Sequence, residues 1–210
     1  GLGGLGSAIV EYLARLGVCR WVLVDPDEVE LSNLNRLVGA TVRDAQLGRP
    51  KVRVARRLIH QARPRPSIRT FQAEVYAPEA LRALKGCDLL VVATDNQASR
   101  LAANRLAVQY LIPLVHVGFH IAVRQGPGSG DAQPASLSVA GPSSPASELP
   151  PQPQVAEMSG ALALPDVGRW CLECAGLIDP QMAAWELASP EQRELLRRNG
   201  YLQDTPAPAV

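Results

Sequence analysis

Residues Gly1–Gly6 read GLGGLG, and they open directly into a stretch whose apolar residues recur at helical spacing up to Leu16. The hexapeptide contains the spacing G-x-G-x-x-G, which lets a backbone turn tightly and approach a phosphate at a helix start. Four glycines would line that turn: Gly1, Gly3, Gly4 and Gly6. The motif by itself is a weak signal, because a glycine turn can also serve only to pack a helix on a sheet.

Short apolar runs alternate with helical patterns after the first helix. The predicted elements are the strand Arg20–Asp25, a helix after Pro50, the strand Ser67–Glu74, the helix Pro78–Leu84, the strand Asp88–Ala93, the helix Ala98–Tyr110 and the strand Leu111–Val117. Strands that are nearly all apolar and alternate with helices are typical of a parallel sheet covered on both faces. We therefore predict an α/β fold with a Rossmann-like, doubly wound, mostly parallel sheet, and we expect that a leading strand before Gly1 is missing.

The composition is that of a globular chain, with 47% hydrophobic residues and 21 basic against 20 acidic residues, for a net charge of +1. Nucleic-acid binding usually leaves a basic footprint that this balance lacks, so no nucleic-acid partner is predicted. No apolar run approaches the roughly 20 residues that span a bilayer, and no leader pattern precedes the glycines. We expect a cytoplasmic protein with no membrane partner.

Asp25 ends the strand that follows the first helix, where a carboxylate can accept hydrogen bonds from both ribose hydroxyls of a nucleotide. A helix cap or a solvated turn aspartate is the alternative interpretation. Up to this residue an NAD-dependent dehydrogenase fits equally well. The sequence VDPDEVELSNLNR at Val24–Arg36 then places a dense polar cluster where the chain leaves the sheet, and dehydrogenase chemistry gives no reason for it.

Four motifs occur in a fixed order along residues 1–100: GLGGLG, the polar cluster ending in SNLNR, GRPK at Gly48–Lys51 and ATDN at Ala93–Asn96. Together they resemble the signature of the ThiF/MoeB/HesA family of ubiquitin-activating-enzyme-like adenylyltransferases. Each motif alone is modest, but their order and approximate spacing match the family. By this resemblance the chain looks truncated at both ends.

The resemblance implies a role in ATP binding or catalysis for several polar residues. It implies that Asp25 holds the ribose of ATP, that Asp27 belongs to the same ATP-binding set, and that Asp95 binds Mg²⁺. Three further residues would attend the triphosphate and its reacting α-phosphorus: Asn33, Arg36 and Lys51. Arg36, Lys51 and Asp95 would form the catalytic group.

Elementary electrostatics agrees with those implied roles. A triphosphate brings about four negative charges, which one helix start worth roughly half a charge cannot balance, so cations and a metal are required. Lys51 occupies a first helical turn, where the dipole disfavours a cation, and this indicates a nearby anion; a surface lysine covering Val52 is the alternative. For Asp95, a cap of the following helix is the competing explanation.

The CLEC pair, Cys171 and Cys174, has the spacing of half a tetrahedral zinc site. Members of the family usually complete that site with a second C-x-x-C, which this sequence lacks. Bound Zn²⁺, a thiol that receives the acyl group, and plain structural cysteines all remain open. Cys19 and Cys87 are interpreted as buried, inert core thiols, and His116 as a hydrogen-bonded structural histidine.

We expect three regions: an ATP-binding, Rossmann-like adenylation core over residues 1–123, a flexible Gly/Pro/Ser-rich crossover loop over residues 124–168, and a CxxC-containing helical segment of the same domain over residues 169–210. The crossover loop is a hypothetical guide for an extended partner peptide. The third region contains one clear predicted helix, around Pro190–Arg198.

The reaction implied by the resemblance is attack of a C-terminal glycine carboxylate on the α-phosphorus of ATP. The partner would be a ubiquitin-like or sulfur-carrier protein, and family members are commonly dimers, so a homodimer is expected. Two alternatives stay open. One is an NAD(P)-dependent oxidoreductase, and the other is a non-catalytic pseudo-activating subunit.

Overall fold

The computed structural model of the chain describes residues 1–124, 154–166 and 168–198. A short 3₁₀ turn at Leu31–Asn33 lies between the first strand and the second helix. The helices and strands are, in chain order, α1 (Gly4–Leu16), β1 (Arg20–Val24), α2 (Val42–Gln46), α3 (Lys51–Ala62), β2 (Ser67–Phe71), α4 (Pro78–Leu84), β3 (Leu90–Val92), α5 (Gln97–Tyr110), β4 (Leu114–Arg124), β5 (Gln154–Ala163), α6 (Pro180–Leu187) and α7 (Pro190–Arg198).

The strands form two hydrogen-bonded sheets in the described part of the chain. β1 pairs in parallel with β2, with Arg20 opposite Ser67, and β3 pairs in parallel with β4, with Val92 opposite His116. The second sheet has the strand order β3-β4-β5. Alternation of helices with parallel strands confirms the predicted α/β class.

Gly1 lies between the carboxyl end of β1, in the first sheet, and the carboxyl end of β3, in the second sheet. Its backbone nitrogen donates to the Val24 carbonyl at 3.3 Å, at the end of β1. On its other side a Cβ would lie 2.7 Å from the Ala93 carbonyl oxygen, just after β3. The glycine motif therefore sits at the sheet edge where open α/β folds bind ligands. A leading strand stays a prediction.

Helices α1 and α3 owe their positions to apolar faces that pack on β1 and on each other. α1 buries Val10 and Ala14, and it ends at Gly17, whose φ of 111° suits a residue without a side chain. α3 buries Val52 and Ile59 on the same core. This packing holds the amino ends of both helices at the edge that carries the glycine motif.

A second core lies around α5 and joins the C-terminal segment to the sheet. Leu101 and Leu106 of α5 pack in one buried cluster with Leu114 of β4 and with Leu172 and Ile178, which precede α6. Helix α6 packs along α5. Residues 1–118, 161–166 and 168–198 belong to one compact unit, and residues 119–124 and 154–160 belong to another.

Several sequence expectations need correction. β5 occupies residues 154–163, which were predicted as part of the 124–168 loop, because the Gly/Pro/Ser-rich composition of the region masked the apolar alternation near its end. Residues 125–153 of that loop lie outside the described residues. Cys19 is exposed rather than buried, since it precedes β1, whose inward residues are Trp21 and Leu23. Cys87 is half-buried.

Helices α2 and α6 were not predicted, although each carries a start signal. Thr41 and Asp44 form a capping box at α2, and Asp179 caps α6 immediately before Pro180. Both helices are short, so their apolar periodicity is weak. Across the described ranges, none of the helices combines the length and apolarity needed to cross a lipid bilayer.

Candidate nucleotide site

The glycine turn is tight on one side and open on the other. A Cβ on Gly6 would collide with the Gly1 carbonyl oxygen, so this position requires glycine. Gly3 is the N-cap of α1, no side chain caps the helix there, and a Cβ on Gly3 would meet no atom within 4 Å. Free amides at a helix start that face open space suit a phosphate group.

Asp25 connects the end of β1 to the glycine turn. Its Oδ2 accepts the Leu2 amide at 2.5 Å and its Oδ1 accepts the Asp27 amide at 3.0 Å. The side chain is only 4% exposed, which contradicts the alternative of a solvated turn aspartate. Each carboxylate oxygen can accept a second hydrogen bond, so this arrangement leaves acceptor capacity for ribose hydroxyls.

Lys51 has the nearby anion that its position in the helix predicted. Its Nζ lies 2.7 Å from Asp27 Oδ2, and its backbone nitrogen donates to the Asp27 carbonyl at 3.0 Å. The lysine side chain is 12% exposed and that of Asp27 is 59% exposed. The two residues therefore form an ion pair that begins α3 and is open to solvent on its acidic side.

Arg36 crosses the start of α1. A Cβ on Gly4 would lie 3.3 Å from Arg36 Cβ and 3.4 Å from its Cγ, so the arginine stem covers the face where Gly4 has no side chain. Its Nη1 donates to the Ser32 carbonyl at 2.9 Å and to Asn35 Oδ1 at 3.2 Å. This packing places an exposed guanidinium beside the open helix start.

Asn33 is 9% exposed and has a structural contact that the sequence did not reveal. Its Oδ1 accepts the Glu30 amide at 3.2 Å, which closes a reciprocal capping box around the 3₁₀ turn. Its Nδ2 lies 3.4 Å from Ser32 Oγ. A contact with the triphosphate, which the resemblance implied, stays a prediction.

Asp95 is exposed just beyond the carboxyl end of β3. The competing explanation, that Asp95 caps α5, is wrong, because Asn96 is the N-cap and its Oδ1 accepts the Ser99 amide at 2.7 Å. On the other side of the turn, Arg100 Nε donates to the Thr94 carbonyl at 3.1 Å. The turn is thus fixed by its neighbours, and the Asp95 carboxylate is left available to a ligand.

The acidic side chains of this sheet edge influence one another electrostatically. Burial raises the pKa of the Glu74 carboxyl above its ordinary value, and the carboxylates of Asp27, Asp25, Asp95 and, from α6, Glu186 raise it further. Neither Glu74 nor Glu186 belongs to one of the four sequence motifs. Crowding of negative charge favours a cation here.

Mg²⁺ fits this donor set when a nucleotide is also bound. The ion is commonly held by one or two carboxylates together with substrate phosphates, rather than by a cage of protein ligands. Asp95 supplies an exposed carboxylate of that kind. Across residues 1–124, 154–166 and 168–198, no three metal-ligating side chains come together in one group.

Cys171 and Cys174 face each other with their sulfurs 3.2 Å apart. Burial by itself would raise the pKa of the Cys171 thiol, but hydrogen bonds from the Cys174 backbone and the Asn104 side chain lower it overall. The hydrogen bond with Cys171 raises the pKa of Cys174. Asn104 is buried on α5 and also accepts the Leu172 amide at 2.9 Å, so it anchors the CLEC turn.

A complete structural zinc site needs four ligands in tetrahedral geometry. The two thiols could supply two of them, but the part of the chain that the structure describes adds no third ligand. The donor set therefore fits a half-site only.

His116 is buried, as predicted, with 3% of its surface exposed. The imidazole has a backbone hydrogen bond with Val92, while its Nδ1 has no hydrogen-bond partner among the described residues. Burial lowers the pKa of the imidazole, and the nearby Arg100 guanidinium lowers it further, although the Val92 carbonyl opposes the shift. The neutral form is therefore favoured at neutral pH.

Comparison with known proteins agrees with this geometry. Residues 1–133 match the ThiF family. The chain is 37% identical over 115 residues to a sulfur carrier protein adenylyltransferase of Thermus thermophilus, covering 55% of this chain and 42% of that protein. It is 37% identical over 116 residues to a SAMP-activating enzyme E1 of Haloferax volcanii, with the same 55% and 42% coverage. The chain thus spans less than half the length of these relatives.

Solved structures give a similar picture. The fold resembles that of E. coli MccB crystallised with ATP, with a TM-score of 0.52 and 26% sequence identity, over 59% of this chain and 37% of that chain. The same protein crystallised with selenomethionine-labelled MccA gives a TM-score of 0.51. These likenesses extend the sequence match to the three-dimensional arrangement of the sheet and its helices.

Proposed function

The chain belongs to the ThiF family, and we propose that it forms the ATP-binding core of a protein that adenylates a carboxylate. The carboxylate would be the C-terminal glycine of a ubiquitin-like or sulfur-carrier protein. One observation carries the proposal. The open glycine turn, the Lys51–Asp27 pair and the exposed Asp95 all lie at the carboxyl ends of β1 and β3.

The reaction would need no nucleophile from this chain. A carboxylate oxygen of the partner attacks the α-phosphorus of ATP, forming a new P–O bond. The bond from that phosphorus to the bridging oxygen breaks, and pyrophosphate leaves with the bonding electrons. The products are an acyl adenylate and pyrophosphate. Charge develops on the phosphoryl oxygens, so placed cations are the groups that speed the step.

The position of each residue in the site indicates which part of the nucleotide it would contact. The amides at the start of α1 and the Arg36 guanidinium would contact phosphate oxygens, while Asp25 would accept the ribose hydroxyls. Lys51 would neutralise phosphate charge after partial release from Asp27. Asp95 would hold Mg²⁺, which supplies Lewis-acid stabilisation of the phosphoryl oxygens when it is bound.

The test is exchange of labelled pyrophosphate into ATP, using the full-length protein, Mg²⁺ and a glycine-ended carrier. We expect Asp95→Ala to abolish exchange. Asp88→Ala is the matched control, because Asp88 lies just before β3, at the opposite end of the strand, in an ion pair with Arg20 whose side chains are 82% and 89% exposed. The proposal would be overturned if both variants lost pyrophosphate exchange equally, or if exchange did not depend on the carrier.

Several finer points stand as parts of the proposal. We expect a homodimer, to be measured by light scattering of the full-length protein, and a cytoplasmic location. Zn²⁺ would bind Cys171 and Cys174 only if two more ligands come from outside the described residues, and metal analysis of a Cys171→Ser variant tests this. The family match favours adenylation over the NAD(P)-dependent oxidoreductase alternative. A carrier-dependent exchange reaction would also exclude a non-catalytic pseudo-activating subunit.

A further inference from the structure

Glu186 of α6 reaches the first turn of α5, although the two residues that meet there are 88 positions apart in sequence. Its Oε2 accepts the Ala98 amide at 2.6 Å. Ala98 is 3% exposed and Glu186 is half-buried, so this hydrogen bond is partly shielded from solvent. A carboxylate is a favourable partner at a helix start, because it neutralises both an unpaired amide and the positive end of the dipole.

Glu186 and Asn96 share the donors of this helix start. Asn96 accepts the Ser99 amide at 2.7 Å, and Glu186 accepts the amide of the residue before it. Asn96 follows Asp95 directly in the sequence, and Glu186 binds the helix two residues beyond Asn96. The conformation of the Thr94–Asn96 turn is therefore fixed in part by a side chain that comes from the C-terminal segment.

Charge reinforces the contact. Burial lowers the pKa of Arg100, and the carboxylates of Asp95 and Glu186 oppose that shift, so both acidic groups stabilise the arginine cation. Arg100 in turn donates to the Thr94 carbonyl at 3.1 Å. Glu186 thus acts on the turn in two ways, by the direct bond to α5 and through the arginine that binds the turn backbone.

The C-terminal segment holds Glu186 in place. Arg193 of α7 donates to the carbonyl oxygens of Trp185 and Glu186 at 3.1 and 3.0 Å, and its guanidinium lies over the Trp185 ring. At the other end of α6, the Asp179 amide donates to Gln97 Oε1 at 3.3 Å. Helix α6 is therefore tied to the beginning of α5 at both of its ends.

We propose that Glu186 is a positioning residue, which holds the Thr94–Asn96 turn so that the Asp95 carboxylate faces the metal and the triphosphate. This inference rests on the proposed function, and it assigns part of the nucleotide site to the C-terminal segment. Glu186 does not contact the reacting atoms. Its effect passes through α5, Arg100 and the backbone of the turn.

The first test needs no catalysis. Amide hydrogen exchange is followed at residues 97–99 of the full-length protein without nucleotide or metal. Loss of a charged hydrogen bond in Glu186→Ala should speed exchange there about tenfold or more. Glu186→Gln keeps an acceptor oxygen and should show a smaller increase. Glu173→Gln is the matched control, because Glu173 also pairs with α5, at Arg105, but two turns from the site.

The second test measures the Mg²⁺ concentration that gives half-maximal pyrophosphate exchange. We expect a rise of about threefold in Glu186→Gln and about tenfold in Glu186→Ala, with the rate at saturating Mg²⁺ changed less than about twofold. The Glu173→Gln control should leave the Mg²⁺ dependence unchanged. A purely structural role would lower the melting temperature without moving the Mg²⁺ midpoint.

The outcomes separate this inference from the proposed function. Unchanged hydrogen exchange in Glu186→Ala would overturn the positioning role whatever the enzyme does. Faster hydrogen exchange with an unchanged Mg²⁺ midpoint would also overturn the positioning role. Glu186 would then act only as a cap of helix α5. If the natural protein shows no pyrophosphate exchange with any carrier, the proposed function fails, and the positioning of Asp95 for a metal and triphosphate fails with it.

Discussion

Lys51 Nζ lies 2.7 Å from Asp27 Oδ2, so the cation closest to the start of α3 is already paired with a carboxylate from the β1 edge. The side chain of the lysine is nearly covered, whereas that of the aspartate is largely open to water. Asp27 therefore orients the ammonium group before any phosphate arrives. A triphosphate that enters the site would compete with Asp27 for the same cation.

Replacing Lys51 tests that relationship. Lys51→Ala should lower the rate of pyrophosphate exchange about 10- to 100-fold, because it removes one charge-assisted hydrogen bond to a phosphate. Lys85→Ala is the control: Lys85 follows α4 directly, lies over the Tyr110 ring and is the one other lysine of the sequence. If the two variants lose exchange equally, Lys51 has no special role in the site.

A second test of Lys51 uses chemical labelling. With two lysines in the sequence, an amine-reactive reagent has only two side-chain targets. ATP with Mg²⁺ should slow modification of Lys51 and leave that of Lys85 unchanged, as measured by mass spectrometry. Equal protection of both lysines would indicate a general change in the protein rather than a contact with the nucleotide.

The buried Asp44 carboxylate should make a large contribution to stability. It binds Arg57 through contacts of 2.6 and 2.9 Å, and its side chain is 3% exposed. Asp44→Ala should lower the free energy of unfolding by about 2 kcal/mol, because it removes charged hydrogen bonds to Arg57, which is 34% exposed and keeps its bond to the Gly39 carbonyl. Glu11→Ala, which breaks an exposed pair with Arg15, should cost less than about 1 kcal/mol. Urea denaturation measures both.

The same pair predicts a pH dependence. The side-chain hydrogen bond from Arg57 holds the pKa of Asp44 well below its ordinary range, against an opposing effect of burial. A depressed pKa in the folded state stabilises the fold fully above the unfolded value of about 3.9 and less as the pH falls below it. The difference between natural protein and Asp44→Ala should therefore be constant from pH 7 to 5 and smaller near pH 3.

Two glycines of one motif should respond differently to alanine. Gly6→Ala should destabilise the fold strongly, because the new Cβ collides with the Gly1 carbonyl. Gly3→Ala should fold normally, since φ there is −69° and the space is open, but the methyl group would enter the region that a phosphate needs. We expect an unchanged melting temperature and weaker ATP binding for Gly3→Ala. Normal ATP affinity in a well-folded Gly3→Ala protein would argue against a phosphate at this helix start.

His116 should titrate below the ordinary histidine value of about 6.5. Its pKa is lowered, mainly by burial, so the unfolded chain binds more protons than the folded chain below that pH. Stability should then fall as the pH decreases through about 6.5, and His116→Asn should remove that part of the fall. An NMR titration of the imidazole gives the midpoint directly, and a midpoint above 6.5 would contradict the assignment.

The sequence predicted the parts of this fold that are encoded by strong local patterns. The helix Pro78–Leu84 was predicted with the limits that the structure has, because proline begins it and apolar residues recur along it. The strand expected at Asp88–Ala93 is shorter, covering Leu90–Val92, and β4 runs further than expected. Strand ends depend on which neighbour supplies hydrogen bonds, and that information is not local.

The candidate site was predictable to a similar extent and for the same reason. An anion beside Lys51 followed from its place in a helix, but the sequence could not identify that anion as Asp27. No sequence pattern predicts a role for Glu186, because its contact with Ala98 depends on how α6 packs on α5. The role of the buried Asn104 is likewise visible only in its hydrogen bond with Leu172, which is distant in sequence.

Because the sequence contains few lysines, the proposed intermediate would meet few amines with which it could react. An acyl adenylate reacts readily with free primary amines, and only two of the 21 basic residues carry one. Lys51 is paired with Asp27 here and would pair with phosphate in the proposed reaction, and Lys85 lies before β3, at the end of that strand opposite the glycine turn. The other basic residues are arginines, whose guanidinium groups bind phosphate without being acylated. In the proposed reaction, such a core would present few free amines to the acyl adenylate.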